Sequence, residues 1–180
     1  KELKITKTDF KDLLIIEHDV YLDDRGLFKE VFRKDIFEEN LGYSIDFCQD
    51  NYVKSSSMVL RGLHYQEEPY AQSKLVSASE GKILDVVVDI RRNSKTYGKY
   101  FSIVLSSDIQ KGLFIPKGFA HGYLTLSDNA IVNYKVDNYY NKQSEKGVSF
   151  NDKYLNIDWG VDKNEFIISD KDKKLIDFKW

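Results

Sequence analysis

Cysteine is nearly absent from this 180-residue chain. Cys48 stands alone, so an internal disulfide framework is excluded and a reducing, cytoplasmic setting is expected. Two prolines and ten glycines leave no material for a low-complexity linker. Neither charge sign dominates: 27 basic against 29 acidic residues give a formal charge of −2, so charge-driven nucleic-acid binding is not expected. No run of about 18 apolar residues marks a membrane span, and no signal-peptide pattern or Asn-x-Ser/Thr acceptor occurs. The chain starts on Lys1 rather than methionine, so trimming at the front is expected. Histidine is scarce too, at three residues: His18, His64 and His121.

What is present is a globular composition, 42% hydrophobic and 14% aromatic. The length suits one domain over 1–180 with a sizeable core. "LLIIEHDVYL" reads as one strand, "DDRG" as a turn and "LFKEVF" as a second strand. "RKDIFEENLG" reads as a short helix with Ile36, Phe37 and Leu41 on one side and Gly42 as its stop. From Asp46 onward, eight short β runs are separated by Gly, Asn, Asp and Ser, from "FCQDNYVKS" to "NAIVNYKVDNYY". The fold class expected is all-β: a jelly-roll, cupin-like antiparallel β-sandwich with a few short peripheral helices.

A jelly roll encloses ligands between its sheets, and its inward positions should be apolar. Polar residues inside β runs are therefore the informative ones: Gln49, Asn51, Arg61, His64, Lys74, Asp85, Asp89, His121 and Tyr134. Each has a plain structural explanation when taken alone. A strand histidine usually donates to a carbonyl, and Tyr134 shares parity with Val132 and Val136 as a core tyrosine would. Strict alternation also separates Arg61 from His64, unless Gly62 distorts the strand. Three scattered histidines do not read as a metal site. Cys48 reads as a small core residue, and His18 carries no role.

The motifs are more informative together. "DDRGLFKE", "QDNYVKS", "VLRGLHYQ", "QSKLVSASEGKILDVVVDIRRNSKTYGKY", "IPKGFAHGYLTLS", "NYKVDNYYNKQSEKG" and "ISDKD" follow one another from about Asp12 to Asp172. In this order they resemble the dTDP-4-dehydrorhamnose 3,5-epimerase family. The resemblance implies a jelly-roll enzyme that needs no metal or other cofactor and acts on a nucleotide-linked 4-keto-6-deoxy sugar. It implies His64 as base, Asp172 as its carboxylate partner, Tyr134 as general acid, and Lys74 as stabiliser of the enolate. Arg25, Glu30, Gln49, Asn51, Arg61, His121, Tyr140, Glu145 and Lys171 match ligand-binding positions, with Tyr140 stacking on the nucleobase. It further implies a homodimer that exchanges N-terminal strands, so that Arg25 and Glu30 serve the partner's site. A C3-only epimerase, a GDP-linked or heptose substrate, a 3,4-ketoisomerase and a non-catalytic sugar-binding jelly roll are the alternatives.

Overall fold

The computed structural model describes residues 3–180. Two antiparallel sheets face each other. The six-stranded sheet runs in the order β1 (Lys4–Lys7), β2 (Leu14–Glu17), β10 (Lys111–Ile115), β7 (Lys74–Glu80), β12 (Asn129–Val136) and β5 (Gln49–Ser56). The five-stranded sheet runs in the order β13 (Glu145–Gly147), β6 (Leu60–Gln66), β11 (Phe119–Thr125), β8 (Lys82–Asp89) and β9 (Tyr100–Ser106). β3 (Val20–Asp23) and β4 (Gly26–Lys29) form a separate hairpin. The expected all-β jelly roll is the architecture observed.

Period-2 patterning decides which side chains fill the gap between the sheets. Val76 and Ala78 of β7, Val132 of β12, Ile83 and Val87 of β8, and Leu105 of β9 meet there in the central core. The alternate residues Val86 and Val88 point outward, under a C-terminal segment that brings Leu155, Ile157 and Trp159. On the far side of the six-stranded sheet, Leu75 and Phe114 are covered by α1 (Lys34–Leu41). Phe37 is the anchor of that helix, its ring 5.8 Å from Phe114. Gly42 ends the helix in a left-handed conformation, φ 78°, its N–H donating to Glu38 O, as a C-terminal glycine does.

Three local expectations need correction. "LLIIEHDVYL" is two strands, because the chain leaves the six-stranded sheet after Glu17 and re-forms as a hairpin from Val20. The His18 N–H still reaches Gln110 O, the residue before β10, so the ladder ends one step beyond Glu17. Cys48 is exposed, not a core residue: it lies just before β5, outside the inward register. The second strand is also shorter than "LFKEVF", ending at Lys29.

Candidate active site

The central gap holds a polar cluster, and strand register explains how it assembles. Across the six-stranded sheet, Asn51 pairs with Tyr134 and Tyr134 with Val76. Lys74, two residues from Val76, shares that inward face. In the opposing sheet His64 pairs with His121, and Arg61 with Tyr123. Three residue steps along β6 therefore match two along β11. This irregularity is a bulge at Gly62–Leu63, and it resolves the parity conflict between Arg61 and His64. The extra residue returns Arg61 to the face that His64 occupies. Gly62 makes it possible: its φ is +113°, and a Cβ there would lie 2.6 Å from His121 O.

His64 Nε2 lies 2.6 Å from Asp172 Oδ1. A carboxylate only accepts, so Nε2 carries a proton, and in the neutral ring Nδ1 is the nitrogen with the lone pair. Nδ1 lies 4.0 Å from Glu145 Oε1, beyond hydrogen-bond reach. Asp172 sits in α2 (Asp170–Lys173), where the Ser169 side chain caps the turn by accepting from the Asp172 N–H. Its second oxygen, Oδ2, accepts from Gly62 N at 3.0 Å. Burial pulls the Asp172 carboxyl up, but the hydrogen bonds from His64 and Gly62 outweigh it and hold the group below its ordinary value. Asp172 is buried, and it, not the exposed neighbour Asp170, is the aspartate bonded to His64.

His64, Lys74 and Tyr134 share the walls of two small cavities. One, of about 110 Å³, extends to Asn51, Tyr140 and Glu145. The other, of about 70 Å³, extends to Arg61, His121 and Tyr123. His64 enters from one sheet and Tyr134 from the other. Face-packed sheets stand about 10 Å apart, so side chains from both reach the same cavities. Lys74 is buried, and desolvation pushes its ammonium down to about 8 despite the attraction of Asp85 and Glu145. Its Nζ is 6.0 Å from the centre of the Tyr134 ring. Burial raises the Tyr134 phenol, with Asn51 and Arg61 pulling weakly the other way. His121 Nε2 lies 2.6 Å from Asp85 Oδ1. Burial lowers the His121 pKa more than Asp85 raises it.

At the mouth, Tyr140 OH donates to Glu145 Oε2 at 2.7 Å, and Lys171 Nζ donates to the same oxygen at 2.8 Å. Gln49 donates to Asn51 Oδ1 and accepts from the Tyr140 N–H. The cluster therefore includes His64, Tyr134, Asp172, Lys74, Gln49, Asn51, Arg61, His121, Tyr140, Glu145 and Lys171. Arg25 and Glu30 are not brought to it within this chain. Arg25 is at the hairpin tip, paired with Asp23, and Glu30 pairs with Arg33 at 3.7 Å. Gln66, Gln72 and Tyr123 line the cavities although the sequence reading did not select them. The signal available for Tyr123 was its parity with His121. A wider cavity of about 250 Å³ opens on the outer face of the six-stranded sheet beside His18, Tyr52 and Lys135. It lacks His64 and Lys74, so size alone is a poor guide to the chemistry here.

The jelly roll encloses a polar cavity with a histidine–carboxylate pair, a phenol and a buried lysine, and comparison with known proteins says which scaffold this is. The sequence profile of dTDP-4-dehydrorhamnose 3,5-epimerase matches residues 7–179. The dTDP-4-dehydrorhamnose 3,5-epimerase of Shigella flexneri is 48% identical over 170 residues, 94% of this chain and 93% of that one. The crystal structure of the enzyme of the same name from Elizabethkingia anophelis NUHP1 superposes with a TM-score of 0.95 at 47% identity, covering 99% of this chain and 97% of the other. A dTDP-6-deoxy-D-glucose-3,5-epimerase from Legionella pneumophila Philadelphia 1, solved with dTDP-4-keto-L-rhamnose, gives 0.93 at 41% identity over 98% and 93% of the two chains. The chain belongs to the dTDP-4-dehydrorhamnose 3,5-epimerase family.

Proposed function

We propose that this chain, a single jelly-roll unit over residues 1–180, converts dTDP-4-dehydro-6-deoxyglucose into dTDP-4-dehydrorhamnose by inverting C3 and C5. The observation that carries the reading is the placement of His64 and Tyr134 on opposite sheets around one cavity lined by Lys74. Hydrogens on C3 and C5 both flank the C4 carbonyl, so removing either leaves an enolate. Inversion needs a base on one face of the ring and an acid on the other.

His64 Nδ1 takes the proton while Asp172 steadies the imidazolium that forms; such a base contributes about 10²–10⁴ in rate. Lys74 Nζ faces the charge growing on O4, with Arg61 near by, a kind of stabilisation whose loss costs about 10²–10³. Tyr134 then gives its phenolic proton to carbon from the opposite side, and solvent restores it. No redox cofactor enters, because the reaction is a net proton exchange.

Binding uses the rest of the cluster. Arg61 and Lys171 supply cationic donors for the diphosphate, Tyr140 a face for the base, and Gln49 and Asn51 hydrogen bonds to it. Arg25 and Glu30 act on the site of a second copy. The exposed Leu22, Leu27 and Phe28 of the β3–β4 hairpin support this, since an isolated two-stranded hairpin with apolar faces is marginal in water until a partner covers it. The reading is thus of a homodimer with exchanged N-terminal strands, working in the cytoplasm on a precursor of surface polysaccharide.

NMR in heavy water with dTDP-4-keto-6-deoxyglucose tests it. Deuterium should enter both C3 and C5, and His64→Ala should abolish it. Exchange at C3 alone would make the chain a C3 epimerase. No exchange at either carbon would move the search to GDP-linked or heptose substrates.

A further inference from the structure

Tyr123 is the one phenol of the inner cavity besides Tyr134, and the mechanism above does not use it. It stands on β11 two residues from His121, their ring centroids 6.2 Å apart, and directly across the ladder from Arg61 and Asp85. Its side chain lines the same cavity as Arg61, His64, Lys74 and Tyr134. The residue is 4% exposed, yet its hydroxyl makes no hydrogen bond. Ser55, whose Oγ accepts from Arg61 Nε at 3.0 Å, is near enough to draw the phenol's pKa down, but the pair does not meet hydrogen-bond geometry. Burial pushes the phenol up to about 12, so it keeps its proton and is both donor and acceptor throughout the working pH range.

A buried hydroxyl with no partner is costly, and native proteins rarely tolerate one without a reason. Here the missing partner can come from the occupant of the cavity. We infer that Tyr123 is a positioning residue whose hydroxyl bonds an oxygen of the bound keto sugar and holds the ring between His64 and Tyr134. This inference rests on the epimerase reading. The arrangement is complementary to a sugar because a hydroxyl can both give and accept, whereas Arg61 and Lys74 can only give. It also separates sugar recognition from nucleotide recognition, which lies at Gln49, Tyr140 and Lys171.

Tyr123→Phe removes one oxygen and no volume that matters to the fold. Three quantities are read: the Tm of the ligand-free variant, its Kd for dTDP alone, and its kcat/KM for dTDP-4-keto-6-deoxyglucose. The expected result is a Tm equal to or above that of the parent, an unchanged dTDP affinity, and a kcat/KM lowered about tenfold, the worth of one neutral hydrogen bond. A kcat/KM within twofold of the parent would overturn the inference. So would a dTDP affinity that falls in parallel, which means the whole site has loosened. A lower ligand-free Tm would overturn it as well, by assigning the hydroxyl to a structural water. If the parent protein itself fails to turn this substrate over, the reading of the reaction has failed, and the sugar contact with it.

Discussion

Raising the pH should move activity and stability in opposite directions through one group, Lys74. Its ammonium is buried and pushed from an ordinary 10.5 to about 8 by desolvation, Asp85 and Glu145 recovering only part of the loss. In the unfolded chain the same group titrates near its ordinary value. Between pH 8 and 10.5 the folded state therefore binds fewer protons than the unfolded state, and the contribution of Lys74 to stability rises across that window. A shift of this size corresponds to about 3 kcal/mol of penalty at neutral pH, relieved as the charge is lost.

Activity goes the other way. Without its charge Lys74 no longer stabilises the developing O4 anion, so kcat/KM should fall about tenfold per pH unit above about 8, until about 10²–10³ has been lost. The assay pairs pH profiles of kcat/KM with denaturant melts of the parent and of Lys74→Met, which keeps the stem and cannot titrate. Below pH 8 the variant should be the more stable protein and about 10²–10³ slower. Its stability advantage should shrink as pH climbs towards 10.5. A stability difference that stays flat over this range, or a kcat/KM that holds to pH 10, would refute the argument.

The remaining predictions follow from single contacts. Asp172→Asn should lower kcat by about 10³–10⁴ with little change in KM, because an amide donating to Nε2 would place the imidazole proton on Nδ1, where the lone pair is needed. Asp170→Asn should leave steady-state kinetics near the parent values, since that side chain is exposed. Gly62→Ala should cost on the order of 3 kcal/mol by thermal or chemical denaturation, because both its φ of +113° and the 2.6 Å approach of His121 O forbid a Cβ. That substitution should also lower kcat, as straightening the bulge turns Arg61 away from His64.

The sheets were legible wherever period-2 runs were bounded by turn residues. β5 alternates as a half-buried surface requires, whereas β8, β10 and β11 are buried on both faces and read as short apolar runs between turns. β13 was not legible, since "EKG" has no apolar content; the edge of β6 recruits it through Gln66 and His64. The break at His18 was equally hidden, because it follows from a change of sheet rather than from propensity. At the site, the motif order pointed to most of the side chains that gather around the cavities, Gln66, Gln72 and Tyr123 excepted, but parity alone misdirected on Arg61. The bulge supplies what parity could not. Tyr123 went unread because an aromatic in an apolar run looks like core, and only the missing hydrogen-bond partner sets it apart. The hairpin carrying Arg25 kept its expected turn, and its apolar Leu22, Leu27 and Phe28 stand exposed rather than packed on the sandwich.

The His64–Asp172 bond joins residues 108 apart in the chain. The carboxylate arrives on a four-residue helix that lies outside both sheets. A helix this short has few backbone hydrogen bonds of its own and is expected to open before the sandwich does. The orientation of the base is therefore expected to form late in folding and to be lost early in denaturation. In refolding, β-sheet signal would return before turnover does. In mild denaturant the protein would pass through a folded but idle state, with its strands in register and its histidine untethered.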